Sequence, residues 1–213
     1  MLVVTNRIGE LEWLNRKIKG ISFREFLKNP VKAKLVYFDG GEDVSPELYG
    51  DKTLPQTYNN YKRDLKEAKV YSLAKHLGIP CLGVCRGAQF LTAMQPGGSI
   101  IQDVSGHTLY NTHKIKLLNT SKTIEVTSTH HQMMYPFNTN HELLAVSENL
   151  SHYYKVGSKE DVKELISKHG EPEVVYYPDT KCLAIQGHPE YIKDINHEFP
   201  TYCRETVEEK LFK

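Results

Sequence analysis

The segment Cys81-Leu82-Gly83-Val84-Cys85-Arg86-Gly87-Ala88 joins a strand pattern to a helix pattern with no loop between them. Residues 81–84 form a short apolar run of the kind that builds a buried strand. Residues 86–94 have the pattern of a helix, and the Pro-Gly-Gly sequence at 96–98 ends it. A strand followed directly by a helix is typical of α/β proteins, so this segment favours that fold class.

The two glycines of this segment surround a candidate nucleophile. In Gly83-Val84-Cys85-Arg86-Gly87, a sharp turn between strand and helix exposes the central side chain at the carboxyl end of the sheet. A side chain at either glycine would clash with the neighbouring strand or helix. The thiol also lies at the start of a helix, where the helix dipole favours the thiolate. Cys85 is therefore predicted to be a nucleophile, and a structural cysteine between two glycines is the alternative.

The rest of the chain alternates between strand and helix patterns. A buried strand is predicted at Leu35–Phe38, and a helix with Val70 and Leu73 on its apolar face is predicted to end at Gly78. The further predicted elements are strands at 113–118, 122–127 and 143–146, a helix that Ser158 caps and Gly170 ends, a hairpin of 174–177 with 182–185, and a closing helix at 201–212. The apolar face of the helix after Ser158 consists of Val162, Leu165, Ile166 and His169. This order predicts a mostly parallel central sheet flanked by helices, in a single domain that spans residues 1–213.

Composition excludes several classes of protein. The 213 residues are 39% hydrophobic and 25% charged, with a net charge of +1, so neither disorder nor a basic surface for nucleic acid is expected. No apolar run is long enough to cross a membrane, and the N-terminal run is too short for a signal peptide. The four cysteines include no Cys-x-x-Cys pair. We therefore expect a cytoplasmic protein with reduced thiols and no metal or other cofactor.

A thiolate nucleophile needs a partner that handles protons. The best candidate is His188, which follows the predicted strand at 182–185 and therefore lies where the active sites of open α/β sheets gather. Pro189 stiffens the turn, and Glu190 is placed to hold the imidazole in one orientation. The sequence thus predicts a triad of Cys85, His188 and Glu190. A surface histidine in a turn is the alternative for His188.

Further segments carry a resemblance to a known family. They are Phe38–Gly50 with its glycine loop, proline and Tyr-Gly pair, Arg63-Asp64 with Glu67, Gly97–Asp103 with its Gly-Gly pair, and the Ser-x-His-His-Gln sequence at Ser128–Gln132. Together with the triad, these segments resemble the class I glutamine amidotransferase-like family. The similarity is greatest to its branch of γ-glutamyl hydrolases and γ-glutamyl-polyamine hydrolases. Residues 171–177 are more similar to members from tailed phages.

The resemblance implies a flavodoxin-like three-layer fold and a set of site residues. Backbone N–H groups of Gly40 or Gly41 and of Arg86 would form an oxyanion hole. Gln89, His130 and His131 would bind the substrate. Arg63 would form an ion pair with Asp64 or Glu67 more readily than with a substrate carboxylate.

Two sequence features lie outside that pattern. His107 and His113 lack metal-ligand spacing and are interpreted as solvated residues at strand ends. Gly187 stands where the family has a larger residue, which is expected to open or reshape the substrate cavity.

The resemblance implies a cysteine-dependent hydrolase of γ-glutamyl amide or isopeptide bonds, acting on a small substrate through a γ-glutamyl thioester. A second hypothesis is a glutaminase subunit that supplies ammonia to a separate synthetase or ligase. A third is a catalytically silent binding or regulatory protein on the same fold. The intact triad residues argue against the third hypothesis.

Overall fold

A computed structural model describes residues 1–107, 111–148, 150–157 and 162–213. The strands are β1 Leu2–Val4, β2 Lys19–Ile21, β3 Leu35–Phe38, β4 Cys81–Val84, β5 Ser99–Ile101, β6 Asp103–Val104, β7 Asn111–Leu117, β8 Thr123–Ser128, β9 Met133–Tyr135, β10 Glu142–Ser147, β11 Tyr154–Lys155, β12 Glu171–Tyr177 and β13 Cys182–Ile185. The α-helices are α1 Phe23–Lys28, α2 Tyr61–His76, α3 Arg86–Ala93, α4 Val162–His169 and α5 Glu198–Val207. Short 3-10 turns lie at Ile8–Leu14, Pro46–Leu48, Pro178–Thr180 and Pro189–Tyr191, and a π-helical turn at Glu208–Phe212 follows α5.

The central sheet has nine strands in the order β2-β1-β3-β4-β13-β12-β10-β7-β8. The strands from β2 to β13 in this order are parallel to their neighbours, and the pairings from β13 to β8 are antiparallel. The parallel half contains the strands that lead into the predicted site. The antiparallel half contains the middle and late segments of the chain, so the sheet is mixed where the sequence predicts a mostly parallel one.

Two apolar cores cover the two faces of the sheet, because neighbouring residues of a strand point to opposite sides. On β3, Val36 packs under α1, α2 and α3, whereas Leu35 and Tyr37 pack under α5 and the turn Ile8–Leu14. The resulting order of layers is helix, sheet, helix. It agrees with the predicted three-layer α/β fold.

The predicted elements are recovered with small shifts at their ends. The strands Leu35–Phe38 and Cys81–Val84 have the predicted bounds, and the hairpin formed by β12 and β13 is present. The closing helix begins at Glu198 instead of position 201. The helix predicted between Ser158 and Gly170 corresponds to α4, and its predicted cap Ser158 lies outside the described residues.

The pairing of β4 with β13 determines where the site forms. Ile185 is in register with Val84, and the backbone N–H of Cys85 donates to the Ile185 carbonyl at 2.8 Å. Both strands therefore end at the same edge of the sheet. The segment that leads to His188 leaves β13 beside the start of α3.

A buried ion cluster ties α3 to α2. The guanidinium of Arg86, the first residue of α3, forms ion pairs with the carboxylates of Asp64 and Glu67 on α2. All three side chains are buried. Buried charges are tolerated only when they are paired in this way, so the cluster sets the position of α3 against α2.

We predict that Gly87→Ala strongly destabilises the fold. A Cβ at position 87 would lie 2.0 Å from the Phe38 carbonyl oxygen, and backbone cannot move aside as a flexible side chain can. We expect the free energy of unfolding in urea to fall by about 3 kcal/mol or more, or folded protein to be lost. The matched control is Gly9→Ala, where a Cβ would have no heavy atom within 4 Å. Equal stability of the two variants would contradict the close packing of α3 on β3.

Candidate active site

Cys85 lies on a strained turn between β4 and α3. Its φ of 52° and ψ of −111° are unusual for a residue with a side chain. A Cβ at Gly83 would meet the Gly87 carbonyl oxygen at 2.3 Å, so the turn closes only because both positions are glycines. These dihedrals and contacts are those expected of the predicted turn, and strain of this kind is concentrated at functional sites.

His188 and Glu190 lie beside this turn. The His188 Nδ1 is 2.5 Å from Glu190 Oε1, and the Cys85 thiol is close enough to the imidazole to raise its pKa. All three side chains are largely buried. The structure therefore brings the three predicted triad residues together, with the imidazole between the thiol and the carboxylate.

The surroundings of His188 favour its protonated form. Burial alone lowers its pKa, but the contacts with Cys85 and Glu190 outweigh burial and raise the pKa of His188 to about 10. A neutral imidazole whose pKa is raised takes the proton of a neighbouring thiol, which gives a thiolate and imidazolium pair. Cys85 and His188 are thus arranged for nucleophilic attack near neutral pH.

Two residues that the sequence did not single out hold His188 in place. The Thr127 hydroxyl accepts from the His188 backbone N–H at 2.7 Å and lies 3.2 Å from its carbonyl oxygen. The Tyr191 ring stacks on the imidazole with centroids 4.2 Å apart and an interplanar angle of 2°. The position of Tyr191 directly after Glu190 is a signal that could have indicated this contact.

The loop after β3 forms the wall opposite His188. A Cβ at Gly40 would lie 3.1 Å from His188 Cε1, so a side chain there would press on the imidazole, whereas the 3.8 Å to the Cys85 Cβ is an ordinary contact. Gly41 has a φ of 139°, which favours glycine. Arg63 donates to the carbonyl oxygens of Asp39 and Gly40 at 3.2 and 3.0 Å. It therefore holds this loop from behind.

Arg63 also forms an ion pair with Glu67 at 2.8 Å, as the sequence predicts. Asp64, the other predicted partner, pairs with Arg86 instead. Desolvation opposes the charge on Arg63, but the carboxylates of Glu67, Asp39 and Glu42 raise its pKa. Arg63 is thus a permanently charged support for the glycine loop.

A cavity of about 630 Å³ opens above Cys85. Its lining contains the three triad residues and both glycines of the loop, together with Arg7, Glu10, Thr112, Thr127, Thr129 and Tyr191. The last six were not predicted. Arg7 could have been found because it follows the carboxyl end of β1.

Acidic groups surround one end of this cavity. Burial, together with the nearby carboxylates of Asp39 and Glu190, raises the pKa of Glu10. The Tyr37 hydroxyl donates to Glu10 at 3.2 Å, and the Arg7 guanidinium lies 3.4 Å from the carboxylates of Glu10 and Asp39. Arg7 is exposed and lies at the rim of the cavity. It is the cation that an acidic substrate would meet at this end.

The residues predicted to bind substrate do not line this cavity. The Gln89 amide is buried and donates to the Gln132 carbonyl oxygen at 2.9 Å. His130 is buried, and burial with the neighbouring His107 lowers the pKa of His130 to about 3. His131 forms a surface ion pair with Asp43 at 3.0 Å, which raises the pKa of His131. Direct substrate contact by these side chains stays a prediction.

Gly187 is packed against protein. A Cβ there would lie 2.9 Å from Phe199 Cζ and 3.0 Å from the Thr127 carbonyl oxygen. The space that a larger residue would need is therefore filled by α5. Gly187 does not line the cavity, so it does not open the cavity directly.

The interpretation of His107 and His113 as solvated residues is wrong. His107 is buried and its Nε2 lies 3.0 Å from Glu171, and His113 Nε2 lies 2.7 Å from Glu173. Glu171 and Glu173 come from β12, which is far from both histidines in sequence. The tertiary fold creates these pairs, and no local pattern indicates them.

Within the part of the chain that the structure describes, no helix is long and apolar enough to cross a membrane.

Comparison with curated proteins gives relatives that are about 30–40% identical to this chain over part of its length. The protein NtpR of Enterococcus hirae is 29% identical over 164 residues, which cover 74% of this chain and 66% of NtpR. A protein of Lactococcus lactis subsp. lactis described as glutamine amidotransferase-like, YvdE, is 31% identical over 173 residues, 76% of this chain and 68% of that protein. A homologue of YvdE from Lactococcus lactis subsp. cremoris is 38% identical over 110 residues, 50% of this chain and 55% of that protein. The chain thus spans between about half and two thirds of their lengths.

Solved structures share the fold at low sequence identity. A protein of Thermoplasma acidophilum described as a subunit of GMP synthase matches with a TM-score of 0.62 and 16% identity, over 99% of this chain and 92% of that chain. The glutaminase domain of CTPS from Trypanosoma brucei, with bound acivicin, matches with a TM-score of 0.58 and 12% identity, over 98% and 93% of the two chains. These matches support the predicted glutamine amidotransferase-like fold.

The family model described as Peptidase C26 matches residues 31–190. This range contains the glycine loop, the nucleophile turn and all three triad residues. The chain therefore belongs to the peptidase C26 family.

Proposed function

We propose that this chain is a cysteine-dependent hydrolase that cleaves γ-glutamyl amide bonds through a thioester on Cys85. The observation that carries the proposal is the arrangement of Cys85, His188 and Glu190 at one edge of the sheet, at the base of an open cavity. Membership of the peptidase C26 family supports amide hydrolysis in general. The γ-glutamyl specificity rests on the resemblance of the sequence segments to γ-glutamyl hydrolases.

The first half of the reaction forms the thioester. The Cys85 thiolate attacks the side-chain carbonyl carbon of a γ-glutamyl group, and the negative charge moves to the carbonyl oxygen. The N–H groups of Gly40, Gly41 and Arg86 would bind this oxyanion. The Arg86 N–H is available because the first amide of a helix has no acceptor within that helix. His188 gives its proton to the amine nitrogen, and the carbon–nitrogen bond breaks.

The second half releases glutamate. His188, now neutral, takes a proton from a water molecule, whose oxygen attacks the thioester carbon. The carbon–sulfur bond breaks, and the thiolate and imidazolium pair is restored. Glu190 holds the ring by its contact with Nδ1 and stabilises the imidazolium.

A glutaminase subunit with a separate synthetase is the second candidate. Two solved structures with the same fold favour this candidate by their descriptions, a glutaminase domain of CTPS and a subunit of GMP synthase. The support of the glycine loop argues for the stand-alone enzyme. Arg63 of the same chain holds the carbonyl groups on which the loop depends, so no partner is needed to align it. A dependent glutaminase would keep that loop misaligned until a synthetase docks.

We predict that Cys85 is the thiol that reacts first with a limiting dose of iodoacetamide. Cys85 lines the cavity and is 8% exposed, whereas Cys81, Cys182 and Cys203 are at most 1% exposed. Peptide mapping by mass spectrometry measures the order of alkylation. Protein unfolded in urea is the control, in which the four thiols should react at similar rates. Earlier alkylation of Cys182 or Cys203 in the folded protein would contradict the assignment.

We predict that His188→Ala lowers kcat/KM by about 10³-fold or more, because it removes the group that transfers protons. Glu190→Gln should cost about ten- to a hundredfold less, because the imidazole remains but is less well held. Steady-state assays measure both, with the exposed Glu164→Gln as the matched control. A larger loss for Glu190→Gln than for His188→Ala would contradict these roles.

The pH dependence of kcat/KM tests the roles of His188 and Glu190 independently. The activity of a thiolate and imidazolium pair falls when His188 loses its proton, so the alkaline limb of kcat/KM is expected near its pKa of about 10. Glu190 stabilises the charged ring, so Glu190→Gln should move this limb to lower pH. An unchanged limb would show that Glu190 does not act on His188.

We predict hydrolysis without any partner protein. Purified protein should release glutamate from members of a panel of γ-glutamyl amines, γ-glutamyl peptides and free glutamine, with Cys85→Ser as background. Activity on γ-glutamyl amines or peptides that exceeds this background supports the stand-alone hydrolase. If glutamine is the one substrate hydrolysed, and only after a synthetase is added, the stand-alone hypothesis fails and the glutaminase-subunit hypothesis takes its place.

A further inference from the structure

A group of buried histidine and glutamate side chains lies outside the proposed catalytic residues. It consists of His107, His113, His130, Glu171 and Glu173, and we call it the His–Glu cluster. The His107 ring is 4.9 Å from the His113 ring and 4.5 Å from the His130 ring, measured between centroids. Ionisable groups are rarely buried together unless their charges are paired or bind a metal. The cluster therefore calls for a chemical explanation.

Glu171 is held as an ionised acceptor. Besides His107 Nε2 at 3.0 Å, its carboxylate has four donors. They are the Ser147 hydroxyl at 3.0 Å, the Leu150 N–H at 3.1 Å, the Ser151 N–H at 2.8 Å and the Tyr154 hydroxyl at 2.8 Å. A carboxylate surrounded by donors accepts a hydrogen bond from the imidazole as well. The proton of a neutral His107 is thus placed on Nε2.

The remaining nitrogen of His107 then carries a lone pair. Nδ1 lies 4.0 Å from Glu173 Oε1, and the Ser128 hydroxyl is 3.4 Å away, at the long limit of a hydrogen bond. A histidine that donates one N–H to a carboxylate and presents its other nitrogen is the usual form of a histidine metal ligand. Glu171 thus orients His107 as a metal site requires.

His113 and Glu173 complete a set of three ligands. His113 Nε2 is 2.7 Å from Glu173 Oε1, and the ligand atoms of His107, His113 and Glu173 all lie within 4.8 Å of one another. Ligands of a tetrahedral zinc ion at its usual bond lengths are about 3.4 Å apart. The most distant pair of ligand atoms would have to approach by about 1.5 Å at most to reach that spacing. Side-chain rotation can provide a movement of this size.

His130 gives a second, independent observation. Its Nδ1 lies 2.8 Å from the Gln132 carbonyl oxygen, which only accepts, so the ring proton is on Nδ1. The other nitrogen, Nε2, is buried and has no hydrogen-bond partner among the described residues. A buried nitrogen lone pair beside the His107 ring is unexplained by the protein alone, so the described residues leave the polar groups of this cluster incompletely paired.

We propose that His107, His113 and Glu173 bind a zinc ion. Two imidazoles with one carboxylate suit zinc better than calcium or magnesium, which prefer oxygen ligands. The ion would fasten β7 and the segment before it to β12. Because β7 also pairs with β8, which carries Thr127, a structural zinc ion would brace the support of His188.

The test is zinc binding by the full chain after treatment with a chelator. Isothermal titration should give one equivalent of tightly bound Zn²⁺ and a rise in the unfolding temperature. His113→Ala should weaken the affinity at least 100-fold. Glu171→Gln, which keeps every ligand, should weaken it by about 10- to 100-fold because His107 loses its orientation. The exposed His76→Ala and the active-site Cys85→Ser should bind as the unaltered chain does.

Cobalt substitution keeps the test decisive if a variant does not fold. Co²⁺ bound to the unaltered chain should show the visible absorption of a four-coordinate site without the near-ultraviolet band of a thiolate ligand. Absence of stoichiometric binding would overturn the proposal. Loss of binding in Cys85→Ser, together with unchanged binding in a folded His113→Ala variant, would also overturn it. These readouts do not depend on hydrolysis, so the zinc site and the proposed function can fail separately.

Discussion

Parallel pairing of β4 with β13 is the constraint on which the site depends. The register of Val84 with Ile185 brings two chain segments that are about a hundred residues apart to one edge of the sheet. The nucleophile leaves β4 directly, and the base follows β13 after a short turn. A shift of one residue would turn the side chains of either strand to the opposite face, so both apolar cores protect this register.

Close backbone packing turns that edge into a reactive geometry. Gly83 and Gly87 let α3 start immediately beside β4 and β3, and Cys85 takes the dihedral strain of the turn. The folded core offsets the cost of this strain. Gly40 completes the arrangement because the His188 ring occupies the space that a side chain would need.

Buried ion pairs fix the positions of α3 and of the glycine loop. Arg86 ties α3 to the acidic face of α2, and Arg63 on α2 supports the carbonyl groups of the glycine loop. Helix α2 therefore positions both sides of the proposed oxyanion hole. On the antiparallel half of the sheet, the His–Glu cluster links β7 to β12, and β8 in turn carries the Thr127 hydroxyl that holds the His188 backbone.

Sequence alone predicted the α/β class, most strand and helix bounds and the proposed triad of Cys85, His188 and Glu190, because these features depend on local periodicity and short motifs. The tertiary structure decided which side chains share the cavity. Arg7 and Tyr191 line it, whereas Gln89 is turned into the interior. It also decided the burial of His107, whose carboxylate partner comes from a strand more than sixty residues away. Contacts between distant segments depend on sheet order and register, which local sequence patterns do not encode.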